Sequence, residues 1–142
     1  MVDTEGGDGL VANGRGTPAE QTKKARGLWG EDLAVKHLRA HGYEVVCRNW
    51  RYRRYEIDLV CKHRWTWVFV EVKVRAARNE RLGFEWFPEN QQQRIVRAAH
   101  HFLLQQRGAD RNARFDVIFI QHERGSWRLD HWLDAFLPRA NR

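Results

Sequence analysis

The fold is decided by the stretch EIDLVCKHRWTWVFVEVKV, residues 56–74. Acidic and aliphatic side chains alternate over residues 56–60, a polar break follows at residues 62–64, and alternation resumes over residues 67–74. Because successive side chains of a strand point to opposite faces, both halves have the period of a β-strand. The stretch therefore predicts a β-hairpin that carries acids and a lysine on one face.

The segments on either side of this hairpin complete an α/β pattern. Residues 22–41 carry apolar side chains at helical spacing, and Gly42 follows as a natural helix end. A second apolar stripe predicts a helix that begins at Glu89 and ends before Gly108. The order αβββαβ predicts an α/β fold with a mixed sheet flanked by helices. Further elements are predicted as strands at residues 43–52, 115–120 and 127–131, and a last helical turn at residues 133–137.

The first 21 residues differ in composition from the rest of the chain. They hold five of the 11 glycines and almost no apolar side chains, so they cannot offset the entropy cost of ordering. We expect a flexible, Gly-rich acidic tail over residues 1–21 and a single folded domain over residues 22–142. No apolar run approaches the roughly 20 residues that span a bilayer, and Cys47 and Cys61 form no paired motif. These features favour a cytoplasmic protein without a membrane partner.

The predicted domain is strongly basic. The chain has 25 Lys and Arg against 18 Asp and Glu, a formal charge of +7. The tail contains four acids and one arginine, so the positive excess lies in the domain. Most of the basic residues are arginine, whose planar guanidinium suits phosphate groups. Such a field favours a polyanionic partner, and the alternative is a basic surface that serves only solubility.

The acids of the hairpin could form a cation site. If the turn is centred between Arg64 and Trp65, Asp58 lies opposite Glu71, with Cβ atoms about 4.5–5.5 Å apart. Two such carboxylates repel each other unless a cation lies between them, and oxygen ligands suit Mg²⁺ or Mn²⁺. Lys73, on the same face, could hold an attacking water or neutralise charge on a phosphate. These parts together fit phosphodiester hydrolysis.

The alternation by itself also fits a hairpin whose charged face is simply solvated. Two observations favour a site instead. Val60 and Phe69 share the charged face, so that face is not uniformly polar, and Glu31 lies on the inward side of the first helix. The same pairing places Glu56 opposite Lys73.

A set of longer motifs supports a family resemblance over residues 26–137. The motifs are Gly30-Glu31, Gly42-Tyr43, Arg48-Asn49-Trp50-Arg51, Glu56-Ile57-Asp58-Leu59-Val60, Val68-Phe69-Val70-Glu71-Val72-Lys73-Val74-Arg75, Arg94-Ile95 and Arg114-Phe115-Asp116-Val117-Ile118. The chain closely resembles the YraN family of bacterial proteins. That family is similar to the restriction-endonuclease-like PD-(D/E)XK superfamily, close to archaeal Holliday junction resolvases.

The resemblance implies a restriction-endonuclease-like αβββαβ core and a role for each acidic residue. Asp58 and Glu71 would be metal-binding carboxylates, and Lys73 would be the catalytic lysine. Glu31 would be the first-helix acid that completes the metal site, with Glu56 in a supporting role. The implied cofactor is Mg²⁺ or Mn²⁺. Similarity to resolvases also implies a homodimer.

Two positions depart from the family pattern. Tyr55 stands where the family usually has glycine, which removes a flexible joint and adds a ring beside the site. Residues 91–93 are glutamines in a region where the family usually has a lysine before the Arg94-Ile95 pair.

Arginines and aromatic residues interleave just before the hairpin. Arginine can neutralise phosphates, and a Trp or Tyr ring can stack on an unpaired base. The alternatives are an edge strand protected by charge and, for the arginines after the hairpin, a solvated loop. The candidate nucleic-acid-binding residues are Arg48, Trp50, Arg51, Arg53, Arg75 and Arg78.

The leading hypothesis is a divalent-metal-dependent endonuclease that acts on DNA, including branched or single-stranded repair and recombination intermediates. A second hypothesis is a nucleic-acid-binding protein that keeps the fold without catalysis. A third is a partner-binding scaffold, for which DNA affinity would show almost no salt dependence.

Overall fold

The hairpin forms as predicted and lies within a six-stranded sheet. The computed structural model describes residues 2–8, 23–76, 87–106, 112–123 and 125–138. Its elements are β1 (Val2–Asp8), α1 (Lys23–Ala40), β2 (Glu44–Tyr52), β3 (Tyr55–His63), β4 (Thr66–Ala76), α2 (Glu89–Gln105), β5 (Ala113–Glu123) and β6 (Ser126–Trp132). Within these ranges the strand order is β1-β6-β5-β4-β3-β2, with β4 and β5 parallel and the other neighbours antiparallel. The predicted αβββαβ core on a mixed sheet is confirmed.

The two helices cover opposite faces of the sheet. On one face, α1 packs Ala34 and Leu38 against Leu59 of β3. On the other face, α2 buries the apolar stripe that its spacing predicted. Full burial of one Leu or Phe side chain contributes about 1.5–3 kcal/mol, so both layers hold the sheet in place. Within the described ranges, neither helix is long and apolar enough to cross a membrane.

Helix α1 ends just before the predicted glycine. Gly42 has a φ of 84°, in the left-handed region that glycine adopts without steric cost. The backbone N–H of Tyr43 donates to the carbonyl of Leu38 at 2.9 Å, and the N–H of Gly42 donates to that of Arg39 at 3.1 Å. These two bonds form a Schellman motif, which turns the chain from α1 into β2.

A buried polar network lies beneath the C-terminal half of α1. The fully buried Asp116 accepts hydrogen bonds from Arg114 at 2.9 and 3.0 Å and from the Asp134 N–H at 3.0 Å. His131 Nε2 lies 2.8 Å from the Asp116 carboxylate, and His131 Nδ1 lies 3.0 Å from His37 Nε2. Burial alone would raise the pKa of Asp116, but the hydrogen bonds from His131, Arg114 and Asp134 hold it below its ordinary value. The network therefore keeps Asp116 ionised.

The structure differs from two of the sequence predictions. Within the predicted flexible tail, Val2–Asp8 pairs with β6 as an edge strand, because strand pairing satisfies backbone N–H and C=O groups whatever the side chains. Residues 9–21 of that tail lie outside the described ranges. Residues 133–137 form a turn and an irregular segment instead of a helical turn, since the Ala135 N–H donates to the carbonyl of Phe115 and not back along its own segment.

Candidate active site

The predicted register of the hairpin holds where its two strands pair. The ladder runs from His63 opposite Thr66 to Leu59 opposite Val70, which centres the turn between Arg64 and Trp65 as expected. Pairing stops there, one residue before Asp58 and Glu71 would face each other.

Asp58 lies at a break in the alternation of β3. Ile57 packs on the α2 side and Leu59 on the α1 side, although residues two apart on a regular strand share one face. The Asp58 carboxylate accepts a hydrogen bond from the backbone N–H of Val72 at 2.9 Å. The prediction that Asp58 shares a face with Val60 is therefore wrong, and the break turns Asp58 towards α1.

Asp58 and Glu71 nevertheless form a carboxyl pair that is largely removed from water. Burial raises the pKa of Glu71 well above its ordinary value, and the charge of Asp58 raises it further. Burial also raises the pKa of Asp58, despite the hydrogen bond from Val72. Each carboxyl group affects the pKa of the other, and only 16% of the Glu71 side chain is exposed. Such a pair needs a proton or a cation between its oxygens.

Lys73 lies beside this pair on the α2 side. Its Nζ is 3.7 Å from Glu71 Oε1 and donates a hydrogen bond to Gln91 Oε1 at 3.0 Å. It also lies 5.1 Å from the ring centroid of Phe87, and 13% of its side chain is exposed. Gln91, which stands in the region where the family pattern has a lysine, is thus the residue that holds Lys73.

Glu31 approaches Asp58 from the α1 side, as the sequence predicted. Burial raises the pKa of Glu31, and the Asp58 charge adds to this effect. Asn49 Nδ2 donates to Glu31 Oε1 at 3.1 Å, and Arg48 Nη2 lies 3.7 Å from the same oxygen. Asn49 has a φ of 53°, in a region that Asn adopts more readily than most residues. No pattern in the sequence pointed to Asn49 as a residue of the site.

Gly30 allows this approach of α1. A methyl group at Gly30 would overlap Cγ2 of Val74 on β4. The absence of a side chain therefore lets the helix backbone lie directly on the strand, with Glu31 one residue further along.

Glu56 does not take the position predicted for it. It is paired with Arg51 across β2, at 3.6 Å between Nη2 and Oε1, and the ladder of β3 with β4 does not reach Lys73. The pairing predicted between Glu56 and Lys73 is wrong because the two strands cease to pair at Leu59. The charge of Glu56 still contributes to the raised pKa of Asp58.

Two grooves meet at Glu71. On the α1 side, a cleft of about 400 Å³ is lined by Glu31, Asp58 and Glu71 together with basic residues. On the α2 side, a groove of about 210 Å³ is lined by Tyr55, Glu71 and Gln91, among others. In the part of the chain that the structure describes, no three His, Cys, Asp or Glu side chains are grouped closely enough to hold a metal ion.

Comparison with known proteins places the chain in a family. The model of the "Uncharacterised protein family UPF0102" matches residues 30–120. The chain belongs to this family. The resemblance to YraN is thereby confirmed, because YraN proteins are UPF0102 proteins.

Several UPF0102 relatives align with most of the chain. A UPF0102 protein of Chlorobium phaeobacteroides is 42% identical over 117 residues, which cover 78% of this chain and 91% of the relative. One of Parafrankia sp. is 40% identical over 111 residues, covering 78% of this chain and 94% of the relative. One of Nitratidesulfovibrio vulgaris is 35% identical over 114 residues, covering 80% and 85%.

The basic residues predicted to bind nucleic acid are dispersed over this UPF0102 domain. Arg48 is bonded to Asp32 at 2.9 Å, and Trp50 is half-buried with its ring edge-on to Phe102. Arg48 therefore belongs to the Glu31 side of the site, whereas Trp50 packs on the α2 side. Arg75 lines the α1-side cleft.

The remaining candidates lie around the turn between β2 and β3 or outside the described ranges. Arg51 is largely exposed apart from its pairing with Glu56. Arg53 lies in the turn itself, with Cζ 5.4 Å from the ring centroid of Tyr52. Arg78 lies outside the described residues.

Proposed function

We propose that this UPF0102 protein is a divalent-metal-dependent endonuclease that hydrolyses phosphodiester bonds in DNA. The observation that carries the proposal is the buried pair of Asp58 and Glu71 with Lys73 beside it. Two buried carboxyl groups with raised pKa values beside an ammonium group lower the stability of the fold. Arrangements of this kind are typical of functional sites.

The donor set fits Mg²⁺ or Mn²⁺. Asp58 and Glu71 offer hard carboxylate oxygens in the same cleft, and both cations prefer such ligands while keeping several waters. These two residues would hold the ion, with Glu31 facing them across the cleft. When bound, the ion supplies Lewis-acid polarisation of the phosphate and lowers the pKa of a water.

Lys73 is positioned to act on charge that develops at the phosphate. Its ammonium is fixed by Gln91 at 3.0 Å and held near Glu71, so little reorganisation is needed during the reaction. It can donate a hydrogen bond to an attacking water or to a phosphate oxygen. Arg26 and Arg75 line the same cleft as Glu31 and can hold the flanking phosphates.

One observation favours the alternative of a nucleic-acid-binding protein without catalysis. The Glu31 carboxylate accepts a hydrogen bond from Asn49 and lies near Arg48, and within the described ranges no three His, Cys, Asp or Glu side chains are grouped closely enough to hold a metal ion. Under this alternative the carboxyl pair shares a proton and the domain only binds DNA.

A cleavage assay separates the two. Labelled linear, single-stranded, flap and four-way-junction DNA are incubated with the protein in Mg²⁺, in Mn²⁺ and with a chelator. We expect metal-dependent cutting that falls at least about 100-fold in Glu71→Gln. The matched control is Glu44→Gln, because Glu44 is an exposed acid at the start of β2. This variant should cut normally. Salt-sensitive binding without any cutting would establish the alternative.

We further propose that the protein is cytoplasmic and that it acts as a homodimer. Symmetrical cutting of the two strands of a branched substrate takes two active sites, one from each protomer. Sedimentation of the protein alone and with a four-way junction measures this, and a monomer in both samples would restrict the activity to single cuts.

A further inference from the structure

A second set of aromatic and basic side chains lies on the α2 side of the site, outside the residues that the mechanism uses. We call it the stacking surface. It is formed where the turn between β2 and β3 meets α2, and it consists of Tyr52, Arg53, Arg54, Tyr55, Arg97 and His101.

The rings of the stacking surface lie nearly parallel. The His101 ring stacks on Tyr52 at 4.3 Å between centroids with planes 24° apart. It is also aligned with Tyr55, at 5.9 Å and 26°. All three residues are half-buried, so part of each side chain stays accessible to solvent. Parallel, partly open rings provide a platform on which a flat partner can stack.

Guanidinium groups surround these rings. Arg53 lies over Tyr52 with Cζ 5.4 Å from the centroid, and Arg54 lies over Tyr55 at 5.6 Å. Hydrogen bonds from Arg54 and Arg97 hold the pKa of Tyr55 below its ordinary value. Cations and open rings together match the two parts of a nucleotide, because arginine binds the phosphate and the ring binds the base.

The stacking surface is continuous with the candidate active site. Tyr55 and Arg54 line the α2-side groove that also contains Glu71 and Gln91. Along α2, Gln91, Arg94, Arg97 and His101 follow one another at intervals of three and four residues, so they form one stripe. At 1.5 Å per residue the stripe is about 15 Å long.

We propose that this surface binds unpaired nucleotides of a DNA strand and leads that strand to Glu71. Bases inside a duplex are stacked on each other and cannot reach these rings, whereas the bases of a single strand can. The inference rests on the proposed function in one respect, because it takes the strand bound here to be the substrate of the nuclease. It assigns single-stranded or flapped DNA as the preferred substrate class.

The test measures binding in the presence of a chelator, so that it does not depend on catalysis. The fluorescence anisotropy of a labelled dT strand of 12 nucleotides is compared with that of an abasic strand of equal length and of a duplex. We expect Tyr55→Ala and Tyr52→Ala each to weaken binding of the dT strand about tenfold. Binding of the abasic strand and of the duplex should change less than about twofold, because neither presents a base to the rings.

Trp65→Ala is the matched control, since Trp65 is 78% exposed at the far end of the hairpin. Equal losses on all three ligands, or no loss on the dT strand, would overturn the proposal.

Photocrosslinking of the unaltered protein provides a second test that no folding defect can affect. A strand that carries 5-iodouracil should crosslink to peptides containing Tyr52, Tyr55 or His101. Crosslinks confined to the α1 side would contradict the proposal. Failure of the proposed function would give a different result. The unaltered protein would then cut no DNA in the presence of metal, while the Tyr52→Ala and Tyr55→Ala variants would still lose binding of the dT strand selectively.

Discussion

At the scale of single residues, the contact between Gln91 and Lys73 can be tested by mutation. Its side-chain oxygen accepts the hydrogen bond from the lysine ammonium at 3.0 Å. In Gln91→Ala the ammonium loses this partner and moves, so we expect kcat of cleavage to fall about tenfold with little change in KM, as for a residue that positions a catalytic group. Asn90→Ala, an exposed neighbour on the same helix turn, is the control. A rise in KM alone would indicate a role in substrate binding instead.

Asn49 offers a second test at this scale, because it combines a hydrogen bond with an unusual backbone conformation. Its amide donates to Glu31, and its φ is 53°. Asn49→Ala should lose the contact and also destabilise the fold by about 1–2 kcal/mol, since alanine tolerates that φ poorly. Asn49→Gly should lose the contact with little strain. We expect both variants to need more Mn²⁺ for half-maximal cleavage, but only Asn49→Ala to unfold at lower urea concentration. If the Mn²⁺ concentration for half-maximal cleavage is unchanged in both variants, Glu31 does not take part in metal binding.

At the scale of elements, the packing of α1 on β4 depends on Gly30. In Gly30→Ala the new methyl group would overlap Val74 Cγ2, and we expect a loss of about 1–3 kcal/mol in the free energy of unfolding. Gly27→Ala on the same helix meets no neighbouring atom within 4 Å and should instead gain up to about 1 kcal/mol from helix propensity. Urea unfolding of both variants measures the difference, and equal effects would show that the close approach is not important.

Much of the hairpin and its site could be predicted because both depend on local alternation. The turn at Arg64 and Trp65 fixes the register, and the register brings Asp58 and Glu71 to the same end of the sheet. The break at Asp58 could not be predicted in this way, because a strand irregularity leaves the alternating pattern intact. Gln91 and Asn49 were missed for a different reason, since each contacts a residue 18 positions away in the chain and neither contact follows from periodicity.

At the scale of the whole molecule, the buried Asp116 network links stability to pH. The pKa of Asp116 is lower in the folded protein than its ordinary value, so its ionised form contributes stability at neutral pH. That contribution is fully present above the ordinary pKa and is lost as pH falls through the folded value. Asp116→Asn should lower the free energy of unfolding at pH 7 by about 3–5 kcal/mol, because Arg114 loses its buried partner.

The same variant should show a shallower loss of stability on acidification than the unaltered protein. Thermal unfolding between pH 7 and pH 3 measures both slopes. If the two proteins lose stability in parallel, carboxylates other than Asp116 determine the loss of stability at low pH.

The sheet joins segments from widely separated parts of the chain. Val2–Asp8 pairs with Ser126–Trp132, so this strand is made long before its partner and stays unpaired until Ser126–Trp132 has emerged from the ribosome. The inner strands, by contrast, include a hairpin closed by a two-residue turn, which can form early because loop closure is entropically cheap over short separations. We therefore expect the sheet to grow outward from the hairpin during synthesis, with the edge beside β6 completed last.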